Sequence, residues 1–309
     1  MHIQLGGQAV IEGVTIRSPH YVVTSIRKGK SIVTRNYRFR SLSERYAPFR
    51  WPLLRGIAAF WDTLKIGVKE LNYSAEQSIP EMERSTSTQK VITFVIAFVF
   101  GTVLFVILPY FATNFFGFYE EKNAVAFNII DGIIKMAVFL VYVLLISQIK
   151  EIKRVFMYHG AEHKTVHCFE SGRKLTPRNV KKFSPIHLRC GTSFILLVIL
   201  VSILIFTLIP ILIKSLVPWV LELDWFLKRS ILLLIRLIFF LPILAVSYEI
   251  LKLTARFEKN PLVFLVGLPG VLVQKITTKE PDAAQIEVAI RSVETAVELE
   301  KNHKKVPFD

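Results

Sequence analysis

Residues 158–194 read YHGAEHKTVHCFESGRKLTPRNVKKFSPIHLRCGTSF. The stretch holds four of the chain's seven histidines and both of its cysteines, and strongly apolar sequence borders it on either side. A polar, basic segment between two such runs predicts a loop that joins membrane spans, and the rest of the chain is read outward from it.

On its N-terminal side, residues 91–111 are an uninterrupted run of apolar and small residues, with Thr93, Thr102 and Pro109 standing out. That run can cross a hydrocarbon core of ~30 Å. A second span is expected at 124–149, interrupted by Asp131 and Lys135. On the other side, spans are expected at 193–213 and at 230–247, the latter carrying Arg236. Asp131 and Lys135 are spaced to pair along a helix, and a structural Asp131–Arg236 contact is expected between spans.

Apolar residues make up 52% of the chain, and the formal charge is +15. Such a charge also suits a nucleic-acid binder. Here the basic residues flank the apolar segments, so membrane topology accounts for them and no nucleic acid is expected. Fourteen Lys and Arg precede residue 91 and ten lie in 150–189, whereas the loops 114–123 and 215–228 hold only Lys122 and Lys228. The N-terminus, the central loop and the C-terminus are therefore expected on the cytoplasmic side, where cysteines stay reduced. No basic start with a long apolar run opens the chain, so no signal peptide is expected.

The N-terminal region reads as soluble or peripheral. Residues 21–26 and 31–39 flank Arg27-Lys28-Gly29-Lys30 and predict a β-hairpin. The glycines of Gly6-Gly7-Gln8-Ala9-Val10-Ile11-Glu12-Gly13-Val14 suit tight turns in a small sheet, and Glu12 reads as a turn-side charge or a functional acid. In residues 48–73, Leu53, Leu54, Ile57, Phe60, Trp61, Leu64, Val68 and Leu71 recur at helical spacing. That helix either lies in the membrane interface or packs on the cytosolic region. Residues 260–273 are apolar but broken by Pro261, Gly267, Pro269 and Gly270, which predicts a re-entrant or interfacial hairpin. A last helix over 283–303 carries the stripe Ile286, Ala289, Ile290, Val293, Ala296 and Val297 and is expected to dock on the cytosolic region.

The expected fold is an α-helical membrane protein with about four transmembrane helices, plus a small mixed α+β cytosolic region containing an N-terminal β-hairpin. It divides into an N-terminal region with an amphipathic helix (1–90), a transmembrane hairpin (91–149), a His/Cys-rich segment (150–192), a second transmembrane hairpin (193–249) and a C-terminal interfacial segment with a cytosolic helix (250–309).

The chemistry resides in the central segment. His159-x-x-Glu162-His163 follows the order of the inverted zinc-protease motif, in which two histidines bind metal and the carboxylate takes a proton from the attacking water. On a helix His159, His163 and His167 share a face, and His187-x-x-Cys190 supplies further ligand types. The expected metal ligands are His159, His163, His187 and Cys190, with Glu162 as the catalytic base; Glu170 is another candidate ligand. Mixed His/Cys ligation favours zinc. Three ligands leave a coordination position open for chemistry, four close the site into a structural clip, and the spacing does not choose between them.

The chain resembles the YqhQ-like family of bacterial multi-pass membrane proteins, a domain of unknown function with a predicted metal-dependent enzyme label. The resemblance rests on Gly6 to Val14 with Arg17-Ser18-Pro19, on Tyr158 to Lys164, on His187 with Arg189-Cys190-Gly191-Thr192-Ser193-Phe194, and on Thr277-Thr278 with Glu280-Pro281-Asp282. It spans nearly the whole chain and implies a multi-pass protein of the bacterial inner membrane. The family pattern has proline where this chain has Leu188, and it lacks His167 and Cys168, which rank below the other ligands. Two functions are expected from these residues. One is a zinc-dependent hydrolase at the cytosolic membrane interface, acting on a lipid, a membrane-protein segment or an amphiphilic metabolite. The other is a scaffold or assembly factor with structural zinc, its basic patches Arg173-Lys174 and Lys181-Lys182 meeting anionic lipid headgroups or an acidic partner.

Overall fold

The N-terminal region of the computed structural model, which describes residues 3–78, 86–119, 122–187, 190–257 and 260–303, is a four-stranded antiparallel meander. Its strands are β1 (Gly6–Val10), β2 (Gly13–Arg17), β3 (Tyr21–Lys28) and β4 (Ser31–Arg38). The expected hairpin is β3–β4, closing with Lys28 opposite Ser31. The glycine-led stretch forms a second hairpin, with Val10 opposite Gly13 across Ile11-Glu12. Glu12 takes a left-handed φ of 54°, a conformation that needs outside support in a residue with a side chain. The support is visible. Its carboxylate accepts from Arg154 Nε at 2.6 Å and Nη2 at 2.5 Å, and its carbonyl accepts from the Arg27 N–H at 2.8 Å.

The sheet is covered on both faces. Val14, Ile16 and Val23 join a core with Tyr158 and Ala161 from the helix Lys150–Glu170 and with Ile286 and Val293 from the helix Ala283–Asn302. On the opposite face, Thr15 and Thr24 share a hydrogen bond of 2.9 Å, and Thr24 donates to Glu70 at 2.7 Å. After the short helix α1 (Leu42–Arg45) and a 3-10 turn at Ala47–Arg50, α2 (Leu54–Ser78) provides that cover. It buries Ala58, Asp62, Ile66, Glu70 and Ser74, one residue per turn. Trp61, Leu64, Val68 and Leu71 face outward and are 43–57% exposed. The expected packing on the cytosolic region is met by its small and polar face, which lies on the sheet, while Trp61, Leu64, Val68 and Leu71 are left exposed. Burial raises the pKa of Asp62, while the Leu42 N–H and Arg17, 3.6 Å away, pull it back.

Four helical segments are long and apolar enough to cross a membrane. The first, Thr88–Phe115, joins α3 (Ser87–Thr102) to α4 (Leu108–Phe115) through a π-helical turn at Val103–Ile107. Pro109 follows that turn and has no N–H to give the helix, which accounts for the local change of pitch. The second is α5 (Ala124–Ile146). α6 (Lys150–Glu170) and the short α7 (Pro177–Val180) precede α8 (Gly191–Leu216), which holds the third. The fourth lies within α9 (Trp225–Arg256), which contains the expected 230–247 span, and its apolar window among the described residues is Leu237–Thr254. Asp131 is 3% exposed and pairs with Lys135 at 2.5 Å; the side chain of Arg236, its other expected partner, lies outside the described residues.

The expected hairpin at 260–273 is corrected. Residues Pro261–Thr277 form one helix, α10. Pro261 at its first position costs no hydrogen bond, and Pro269 costs one within a helix whose later part is anchored by buried Val271, Val273 and Gln274. The last helix, α11 (Ala283–Asn302), starts from a capping box between Asp282 and Gln285. It lies against β2, β3 and α6, as its stripe predicts. Near its end, Glu300 accepts from Ser18 Oγ at 2.7 Å, from the His20 N–H at 2.6 Å and from His20 Nδ1 at 2.9 Å. Burial alone would raise this carboxyl, but the bonds from His20 and Ser18 outweigh it and hold the pKa below the ordinary value. A carboxyl lowered in the folded state stabilises above its unfolded pKa of about 4.3, and that contribution fades as pH falls through the folded value. Glu300→Gln should therefore cost about 1–2 kcal/mol at pH 7, with the difference from the unmodified protein narrowing toward pH ~3. Thermal unfolding in detergent reads this, and a difference that does not change with pH would count against it.

Candidate metal centre

One side of α6 is fixed by burial of Tyr158, Ala161 and Val166 in the core against the sheet and α11. The helical period then places His159 and His163 together on another side, with ring centroids 4.4 Å apart. Facing them is Cys190, the residue that caps the N-terminus of α8. Its Sγ lies 3.3 Å from His159 Nε2. One ligand atom from each of His159, His163 and Cys190 falls within 4.8 Å of the others. A tetrahedral zinc with bonds of 2.0–2.3 Å needs its donors roughly 3.5 Å apart, so small side-chain shifts suffice. The donor set also fits zinc chemically. A helix N-terminus favours a negatively charged ligand atom at Cys190.

Both histidines are oriented from behind. His159 Nδ1 donates to the Thr277 carbonyl at 2.9 Å, and His163 Nδ1 donates to the Pro185 carbonyl at 2.5 Å. A carbonyl can only accept, so each Nδ1 carries the hydrogen and each Nε2 keeps its lone pair for the cluster. Burial lowers the pKa of His163, which keeps the ring neutral and able to ligate at neutral pH. Gln274 clamps the segment before α8. Its Oε1 accepts from the His187 N–H at 2.7 Å, while its Nε2 donates to the His187 carbonyl at 2.8 Å and to Ser193 Oγ at 2.9 Å.

Glu162 is 4% exposed, and its Oε2 lies 3.6 Å from His163 Nε2. It occupies a notch over β1, where a Cβ at Gly7 would stand 2.2 Å from Glu162 Oε1. A bare backbone at Gly7 thus lets the carboxylate approach the histidines. A second close approach lies behind the site, where a Cβ at Gly160 would be 2.0 Å from the Lys279 carbonyl oxygen. The neighbouring Lys164 is 3% exposed and pairs with Glu280 at 2.5 Å. These contacts fasten α6 to the turn between α10 and α11, directly after Thr277, the last residue of α10, whose carbonyl holds His159.

His187 lies beside this group of three rather than within it. Its ring centroid is 5.7 Å from that of His163, its ring stacks on His167 at 4.4 Å, and its Nε2 is 3.7 Å from Glu170 Oε2. Burial, and then His187, lower His167 to about 4. Cys168 is fully buried against the Arg173 and Lys174 carbonyls, with its thiol pushed up by burial. Both cysteines are free thiols. Leu188 and Arg189, in the His187–Cys190 turn, lie outside the described residues. Sequence reasoning passed over Gln274, for which a polar residue at the end of an apolar run was the one available signal, and it read Gly7 as a tight-turn glycine rather than as the close approach that admits Glu162.

A family model described as "Protein of unknown function (DUF1385)" matches residues 51–299. The chain is also similar to an "Uncharacterized protein YqhQ" of Bacillus subtilis (strain 168), with 32% identity over 314 residues that cover 96% of this chain and 92% of the relative. No solved structure matches it.

Proposed function

The chain belongs to the DUF1385 family, and from that premise and the geometry of the site we propose that it is a membrane-embedded, metal-dependent enzyme. The reaction class best supported is zinc-dependent hydrolysis at the cytosolic membrane interface. The observation that carries it is the convergence of His159, His163 and Cys190 within 4.8 Å, each histidine with its Nδ1 committed to a backbone carbonyl, beside the carboxylate of Glu162.

The sheet, α6 and α11 pack together, so the N-terminal region, the central loop and the C-terminal helix share one side of a membrane. Two spans on either side of the central segment agree with that, and the positive charge of the loop favours the cytoplasm. The uncovered apolar stripe of α2 then rests at the bilayer surface.

In the reaction, Cys190 and the Nε2 atoms of His159 and His163 would hold zinc. Bound zinc supplies Lewis acidity, polarising a carbonyl and bringing a water's pKa from ~15.7 toward 7. Glu162 accepts the proton of the attacking water at a carboxylate oxygen and returns it to the leaving group. Burial of Glu162 and His163 keeps bulk water from competing. Three ligands, with His187 set aside toward Glu170, favour an open site over a structural clip.

Elemental analysis of detergent-purified protein tests this reading. About one zinc per chain is expected, with the same content in Glu162→Gln, because that carboxylate is a base and not a ligand. A protein that holds no zinc after resupply would overturn the proposal.

A further inference from the structure

The basic residues at the β4 edge of the sheet, across from the β1 edge that carries Gly7, have no part in the metal centre. Arg38 ends β4, Arg40 follows it, Arg45 lies in the last turn of α1, and Arg50 closes the 3-10 turn. These four arginines line a cleft of about 620 Å³ together with His20, from the turn between β2 and β3, and His303, beyond α11. All four arginines are exposed to that space. Arg50 gives Nε to the Ser43 carbonyl at 3.0 Å, which points its guanidinium without neutralising it. Among the described residues no carboxylate lies within 4 Å of the Arg40, Arg45 or Arg50 guanidinium. The acid nearest His20 is Glu300, whose oxygens are taken by Ser18 and His20. The stacked rings of His20 and His303, with centroids 3.9 Å apart, form one wall. Glu44 is the one carboxylate in the lining.

We propose that this cleft binds a phosphate-bearing anion of at least two negative charges, a phosphomonoester or diphosphate. Counting only Arg40, Arg45 and Arg50, three guanidinium groups against the Glu44 carboxylate leave an excess that a single carboxylate ligand would not balance. Planar guanidinium forks match phosphate oxygens two at a time. The volume admits a diphosphate with part of an attached group. The chemistry has two sources, a lipid headgroup and a soluble phosphate compound. Exposed Tyr46 and Trp51, each next in sequence to one of the arginines, place apolar-bodied side chains of the membrane-interface type at the same spot, which favours the lipid.

The test uses the full chain in two settings. In detergent, inorganic pyrophosphate is titrated by calorimetry; in phosphatidylcholine nanodiscs doped with phosphatidic acid, retained lipid is counted by native mass spectrometry. Arg40→Gln with Arg45→Gln removes two of the guanidinium forks, and it should weaken binding about tenfold or more. Glu44→Gln removes the opposing charge and should tighten it about two- to threefold. This second variant keeps the proposal testable if the double variant folds poorly. Loss of phosphatidic acid retention in the double variant supports a lipid source. Loss of pyrophosphate binding alone supports a soluble one. If neither ligand distinguishes the variants from the unmodified protein, or if Arg173→Gln with Lys174→Gln has the same effect, the proposal is wrong.

Discussion

Replacing His163 with alanine is expected to strip the proposed zinc from the purified protein. Of the three residues that converge, His163 is the most constrained, being 4% exposed with its Nδ1 fixed on the Pro185 carbonyl. Its Nε2 is therefore pre-aimed at the cluster. Apparent zinc affinities of about 10–16 kcal/mol for four-ligand sites give roughly 2.5–4 kcal/mol for one ligand, a loss of about 10²–10³-fold. His159→Ala and Cys190→Ala should behave in the same way, since their ligand atoms lie 3.3 Å apart in the same cluster. Gln274→Leu should cost less, about 10–100-fold, because it acts through the His187 to Ser193 segment and not on the metal itself. His187→Ala separates the open site from the closed one. Zinc retained in that variant agrees with three ligands; zinc lost with stability agrees with a four-ligand clip. A full zinc complement in His163→Ala would remove the site altogether.

The part of this centre that sequence could carry is the part made by local periodicity. His159 and His163 are one helical turn apart, and their meeting follows from the period of α6 alone. The nearness of Cys190 has no such local cause, and only the grouping of ligand-type residues hinted at it. Gln274 and the Thr277 carbonyl were hidden because both act across chain separations that no pattern encodes, and because a backbone carbonyl has no signature in a sequence. The same division holds for the fold. The apolar stripe of α2 was plain, but periodicity shows that two faces exist without telling which neighbour each one meets. A bilayer and a protein core are both apolar, and here the helix gives the sheet its carboxylates and its small residues instead. The prolines of 261–273 were read as breaks because their local cost is known while the packing that offsets it lies elsewhere in the chain.

Gly160→Ala tests whether the site depends on the fit between α6 and the turn after α10. In an isolated helix this change is favourable by about 0.8–1.0 kcal/mol, since glycine is the poorer helix former. In this protein the added Cβ would stand 2.0 Å from the carbonyl oxygen of Lys279, far inside van der Waals contact. The obstacle is backbone and cannot swing aside as a side-chain tip could. The turn is also tied down, by the Lys279 N–H donating to the Phe156 carbonyl at 2.9 Å and by Glu280 on Lys164. Overpacking of a fixed contact costs about 1–3 kcal/mol, which outweighs the gain in propensity, so the net change should be destabilising. Relief requires α6 to move away from residues 277–280, and Thr277 carries the carbonyl that holds His159. The variant should therefore lose zinc affinity as well as melting temperature, although residue 160 supplies no ligand. Gly172→Ala is the matched control. That glycine has open space around it, but its φ of +73° resists a side chain, so its substitution should lower stability and leave zinc content intact. Equal zinc content in Gly160→Ala and the unmodified protein would show that the turn does not position His159.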